Sequence, residues 1–194
     1  MSHYVVTISR QFAAMGRTIG LKMASNLGIE LLDRDIVKEA AKRLGLQKGE
    51  VSHYDENPGR QSFFLRKTYL FDFSVYSIHN NVFEVQKNII QDYADKESCI
   101  IVGRCADFIL QDRTDCLKVF VHANMKFRAD RIVRVYGERE KSPEARLKEK
   151  DKRRAAYYRF YTDMKWGDAA NYHVALDSGV IGIEKCAKVI ESLA

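Results

Sequence analysis

The chain has 194 residues, 46% of them apolar and 30% charged, with a formal net charge of +6 at neutral pH. That length suffices for one domain with a full core, and the composition excludes disordered and fibrous classes. No apolar run approaches the ~20 residues that span a bilayer as a helix, and no basic-then-apolar leader opens the chain. Cytoplasmic residence without a membrane partner is therefore the expectation.

In chain order, residues 3–9 read as a β-prone apolar strand, a turn follows, and residues 17–27 read as an amphipathic helix capped by Gly28. A short strand at 29–32 reaches Asp33-Arg34-Asp35, and 36–44 is helical, with Asp35 near its start and Gly45 after its end. Residues 46–60 are polar and proline-containing, a loop or a short helix. From 61 to 94 the pattern is helical and rich in rings, among them Phe63, Phe64, Tyr69, Phe71, Phe73, Tyr76 and Phe83. Core or subunit-interface packing is the plainer reading of those rings, which makes a homodimer through this region an expectation; base stacking is the other.

Residues 98–103 (SCIIVG) form the best buried strand, and 117–123 (LKVFVHA) another. Helices follow at 125–136 and through the charged segment 138–165, then a strand at 172–176 and a helix at 183–193. Five strands alternating with helices predict one α/β domain, a parallel sheet covered on both faces.

The four cysteines (Cys99, Cys105, Cys116, Cys186) show no C-x-x-C pair and the five histidines no ligand spacing, so reduced thiols and no histidine-cysteine metal site are expected. Segment 138–165 carries ten Lys or Arg against six Asp or Glu. Such a segment is a solvated face, a nucleic-acid patch or a clamp for a phosphorylated small molecule. With no zinc finger, RRM signature or heptad array, a nucleic-acid partner is the weakest of the three.

The suspicious residues fall where strands end. After the first strand comes the cluster from Arg10 to Thr18, in which Gly16, Arg17 and Thr18 open a helix, the layout of a phosphate-binding loop. Backbone N–H groups and the positive helix end face an anion, a cation neutralises it, and a hydroxyl reaches a magnesium ion. The match to G-x-x-x-x-G-K-[ST] is partial, with Gln11 at the first glycine and Arg17 at the lysine. Asp33 and Asp35 follow the second strand, and Arg104 and Asp107 the third. In open parallel sheets, ligands bind outside the carboxyl ends of strands, so three polar clusters there read as one site.

The runs ISRQFAAMGRTIG, LLDRD, IIVGRCAD, DKRRAAYY, WGDAANY and LDS, in that order, resemble the cytidylate kinase-like family, a branch of the P-loop nucleoside monophosphate kinases. The resemblance implies a three-layer α/β/α P-loop kinase fold with a five-stranded parallel sheet. It divides the chain into a core (1–45, 96–137 and 166–194), a helical acceptor-binding insertion at about 46–95 and a lid at about 138–165. It implies ATP-dependent phosphoryl transfer with Mg2+ to a nucleoside monophosphate, CMP or dCMP being favoured. Ala13, Ala14, Met15, Gly16, Arg17 and Thr18 would cradle the ATP phosphates, with Thr18 the direct metal ligand. Asp33 would lie near the metal waters or the acceptor, and Arg104 would grip the acceptor phosphate. Asp107 would be either an outer metal contact or the partner holding Arg104. Asp151, Arg153 and Arg154 match the D-x-x-R region that closes on transferring phosphates. Relatives commonly carry Gly-Ser-Gly-Gly where this chain has Ala13-Ala14-Met15-Gly16. Any of these positions forced to φ > 0 would be strained by about 1–2 kcal/mol. A weakly active or non-catalytic nucleotide-binding regulator, or a kinase for another small acceptor, are the alternatives.

Overall fold

The computed structural model describes residues 3–45 and 73–194; for Arg34 and residues 73–80 it describes the backbone alone. The readings made for 46–72 lie outside these residues. Five strands, β1 (Val5–Arg10), β2 (Glu30–Leu32), β3 (Cys99–Val102), β4 (Cys116–His122) and β5 (Val174–Asp177), form one parallel sheet in the order β2-β3-β1-β4-β5. Helices cover both faces, giving the expected three layers.

Alternation along the strands builds the two cores. Val6, Ile8, Ile100 and Val102 pack on one face against Ile19 and Met23 of α1 (Gly16–Leu27) and against Cys186, Ala187 and Ile190 of the C-terminal helix. Val5, Cys99 and Ile101 point the other way. There they meet Ile36 and Ala40 of α2 (Arg34–Arg43) and Ile89, Ile90 and Ala94 of α3 (Phe73–Lys96). Because β3 is covered on both faces, it reads as an unbroken apolar run. Gly28 ends α1 in the left-handed conformation, its N–H returned to Ala24 O.

After β3 comes a one-turn helix, α4 (Ala106–Ile109), then β4, α5 (Met125–Tyr136) and the long α6 (Pro143–Thr162). Ser142 caps α6 through its hydroxyl, with Pro143 in the first turn. A 3-10 turn (Ala169–Asn171), β5, the short α7 (Ser178–Ile181) and α8 (Ile183–Glu191) close the chain. The structure starts β1 and β5 two residues later than the sequence pattern does, and α4, the 3-10 turn and α7 add elements too short to show periodicity.

No described helix is long and apolar enough to cross a membrane. All four cysteines are buried and unbridged. Burial pushes the Cys99 thiol up to about 12 and Cys116 to about 11, and raises Cys105 and Cys186 as well.

Candidate functional site

The carboxyl ends of β1, β2 and β3 open into a cleft of about 940 Å³, roofed by α6 and the segment before it. It is lined by Ala13, Met15, Gly16, Arg17 and Thr18 from the loop after β1, by Asp33 after β2, by Arg104 after β3 and by Arg153 and Arg154 of α6. These nine sequence-expected residues are thus brought together. Ala14 lies fully buried beneath the loop, and Asp107 and Asp151 stand behind the cleft rather than on its lining.

The loop itself is strained. Ala13 and Met15 both have φ 63, the left-handed region where a Cβ costs about 1–2 kcal/mol. Both positions that lack the usual glycine therefore need it conformationally. Gly16, which remains, packs so closely on β1 that a Cβ there would sit 2.7 Å from Arg10 Cβ. Ala13→Gly and Met15→Gly are each expected to stabilise the protein by up to about 1 kcal/mol, the relieved strain exceeding the extra unfolded-state entropy. Ala14→Gly, at an ordinary φ, is expected to destabilise. Urea midpoints of the three variants check the contrast.

What holds the strained loop is a ring of long-range hydrogen bonds. Gln11 N–H donates to Val121 O at 3.0 Å, and Gln11 Oε1 accepts from Ala123 N–H at 3.2 Å. That gives the residue standing at the missing first glycine a bracing task. Phe12 N–H donates to Asp151 Oδ1 at 2.7 Å, and Phe12 O accepts from Arg128 Nη1 at 3.3 Å. Ser178 Oγ lies 2.7 Å from Ala14 O and 3.1 Å from His122 O. Arg154 Nη1 donates to Arg10 O at 3.0 Å while its guanidinium stands 5.5 Å from the Phe12 ring centroid. A strained backbone persists where its surroundings over-determine it, as here.

Arg17 stands in the first turn of α1, its side chain 55% exposed, and its Nε donates to Asp33 Oδ2 at 2.8 Å. Arg10 Nη2 approaches Asp33 Oδ1 at 3.7 Å. One buried carboxylate thereby gathers two cations at the mouth of the loop. After β3 the backbone makes three consecutive left-handed steps, Gly103 (φ 80), Arg104 (φ 58) and Cys105 (φ 54). The φ of 80 favours glycine at Gly103, and a Cβ there would also displace the Arg10 guanidinium. Across the cleft, Arg153 Nη2 donates to Glu149 Oε1 at 2.5 Å, and Lys141 Nζ reaches Glu149 Oε2 at 2.8 Å.

Asp107 takes a place that neither sequence reading gave it. It is 3% exposed, with Oδ1 accepting from Ser9 Oγ at 3.2 Å and Oδ2 from the Tyr158 hydroxyl at 2.7 Å. It ties α6 to the end of β1. Burial raises its carboxyl above the usual range despite those two donors. The folded state therefore binds this proton more tightly than the unfolded chain. Its stabilising contribution is fully present below the unfolded carboxylate value of about 4 and is lost as pH rises through the folded value. Wild-type stability relative to Asp107→Asn is expected to fall as pH rises from about 4 toward 7, read from denaturant midpoints.

Asp151, expected on the substrate, is likewise occupied within the protein by Phe12 N–H and Arg128. Sequence reasoning missed Arg128 and Ser178 as parts of the site. Arg10 and Gln11 belong to the cluster expected after the first strand, whereas Arg131, Arg139, Lys141, Arg146 and Lys150, which also line the cleft, were not singled out. Altogether ten cationic side chains face three carboxylates there, among the described residues.

No group of three His, Cys, Asp or Glu side chains that could hold a metal ion is present among the described residues. Near the loop the donors are the Thr18 hydroxyl and the Asp33 carboxylate, both on the cleft. That pair does not cage a cation. It fits a magnesium ion that arrives on nucleotide phosphates and keeps most of its waters.

The fold and sequence have relatives. An uncharacterized protein from Eubacterium ventriosum ATCC 27560 superposes with a TM-score of 0.74 at 23% identity, covering 98% of each chain. A shikimate kinase from Bacteroides thetaiotaomicron reaches 0.56 at 13% identity, over 99% of this chain and 98% of that one. A shikimate kinase from Acinetobacter baumannii in complex with shikimate reaches 0.54 at 13% identity, over 99% and 93%. No curated protein sequence matches the chain. The model of the cytidylate kinase-like family matches residues 5–180, so the loop, the cationic cleft and the parallel sheet described above are those of a chain that belongs to the cytidylate kinase-like family.

Proposed function

We propose that the protein transfers the terminal phosphoryl group of Mg-ATP to a small phosphorylated acceptor, a nucleoside monophosphate, with CMP or dCMP favoured. The observation that carries this reading is the cleft, where a helix N-terminus with its loop and Arg17 stand with Arg104 among ten cationic side chains. The division into core, insertion (46–95) and lid (138–165) belongs to the same proposal.

The reaction needs alignment and charge neutralisation rather than covalent help from the protein. N–H groups at the start of α1 hold the donor phosphates, and Arg17 exchanges Asp33 for a phosphate oxygen. Arg104 grips the acceptor phosphate, whose oxygen attacks the terminal phosphorus as the bond to the departing ADP oxygen breaks. Arg153 and Arg154 neutralise charge on the transferring group. Thr18 and Asp33 would hold the magnesium ion, which would supply charge neutralisation on the phosphates. The acceptor phosphate is already a nucleophile, so no general base is required.

A second reading, a nucleotide-binding regulator with little turnover, is favoured by the strained φ of Ala13 and Met15. ADP release from Mg-ATP, with a panel of CMP, dCMP, UMP, AMP and GMP, separates the two. Strong stimulation by CMP or dCMP is expected. ATP binding without ADP release from any acceptor would favour the regulator, and absence of ATP binding would overturn both.

A further inference from the structure

Helix α6 meets the core along one polar stripe. Asp151, Arg154 and Tyr158, at helical spacing, reach Phe12 N–H, Arg10 O and Asp107 respectively. The first of these contacts has no counterpart in the transfer chemistry, because Asp151 does not line the cleft. We propose that Asp151 is a positioning residue which, with Arg128, fixes the loop after β1 in the left-handed form that receives the donor phosphates. This rests on the phosphotransfer reading above.

Both backbone polar groups of Phe12 are held by one ion pair. Asp151 Oδ1 accepts the N–H at 2.7 Å, Arg128 Nη1 lies 3.3 Å from the carbonyl oxygen, and Arg128 Nη1 meets Asp151 Oδ2 at 2.5 Å. Fixing both groups of residue 12 restricts the peptide planes that enter Ala13, the first residue with φ 63. Arg128 is only 4% exposed, and its Nε finds no hydrogen-bond partner among the described residues. Burying two charges while leaving a donor unmet is a poor way to gain stability, since an apolar pair of like volume does as well or better. The pair makes sense as a device that specifies one backbone path.

It also answers the sequence. A glycine loop reaches the left-handed region without strain; a loop with Ala13 and Met15 does so only when held. The hold comes from Arg128 of α5, which precedes the lid segment, and from Asp151 of α6, which lies within it. The loop after β1 is accordingly tied to α6 at Asp151 and to α5 at Arg128.

The test uses the full chain with Asp151→Ala and Asp151→Asn. Two quantities are read: hydrogen exchange at the Phe12 amide by NMR, and separate calorimetric affinities for Mg-ATP and for CMP. In Asp151→Ala, Phe12 exchange is expected to accelerate about tenfold or more. Mg-ATP affinity is expected to fall about 10- to 100-fold, and CMP affinity to stay within about twofold. Asp151→Asn keeps an oxygen on Phe12 N–H and is expected to recover most of the ATP affinity. Unchanged Phe12 exchange overturns the proposal, and so does an equal loss of both affinities, the signature of general destabilisation. Should the alanine variant not fold, Asp151→Asn and Arg128→Lys carry the same two readouts, with intermediate losses confined to Mg-ATP expected. If the wild type binds no Mg-ATP, the phosphotransfer reading falls, while Phe12 exchange still decides whether Asp151 holds the loop.

Discussion

Arg17→Met is expected to lower turnover about 10³-fold at saturating nucleotide, with a much smaller change in affinity for Mg-ATP. The residue stands where the helix N-terminus meets the cleft, and its Nε donates to Asp33 Oδ2 at 2.8 Å. Ground-state binding exchanges one anionic partner for another, so little net affinity is at stake. In the transition state, negative charge spreads over the transferring oxygens, and a guanidinium fixed there contributes most. Loss of one such preorganised group costs about 10²–10³ in rate, more for an arginine aimed at the transferring phosphoryl. Arg17→Lys keeps the charge but loses the planar fork and is expected to retain part of the rate. Steady-state kcat and KM for both variants check this; a fall in kcat of less than about tenfold for Arg17→Met would remove the residue from the chemistry.

The second large effect is at Arg104. Arg104→Ala is expected to raise the acceptor KM about 10²-fold and to leave the Mg-ATP dissociation constant within about twofold. Charge-assisted bonds to phosphate are each worth about 1.5–3 kcal/mol, which is the range required. The backbone at Arg104 has φ 58, a strain that alanine inherits unchanged. The substitution therefore isolates the guanidinium. The loop after β1 braces itself through other partners, so donor binding has no reason to follow. Equal weakening of both nucleotides in calorimetric titrations would show instead that the 103–105 turn supports the whole cleft.

Long-range architecture was more legible in the sequence than local anchoring. The continuous apolar run of β3, the glycine after α1 and the boundaries of α5 follow from period and cap chemistry. Clusters at successive strand ends predict a common cleft, and the structure forms one. The missing glycines were visible as a conditional strain, and Ala13 and Met15 meet the condition. Pairings were not legible. Asp107 finds Tyr158 51 residues away, and Phe12 finds Asp151 139 residues away, distances at which no local rule operates. Arg128 reads as one more charge on an amphipathic helix until the fold buries it. Asp107 was expected as an outer metal contact or the partner of Arg104, and Asp151 as part of a motif that closes on phosphates; both accept hydrogen bonds from distant parts of the chain.

The buried cysteines give this protein an internal clock. With every thiol shielded and none readily ionised near pH 8, alkylating reagents have no thiolate to attack in the closed molecule. Modification then proceeds only as fast as the chain opens, and each site reports a different opening. Cys105, 4% exposed and next to Arg104 on the cleft lining, registers loosening of that side of the cleft, whereas Cys99 and Cys116, inside the sheet, wait for unfolding of the strands. Mass spectrometry of the unsubstituted protein, with and without nucleotide, would resolve these rates side by side: a nucleotide that slows Cys105 alone tightens the cleft, and one that slows all of them stabilises the whole domain.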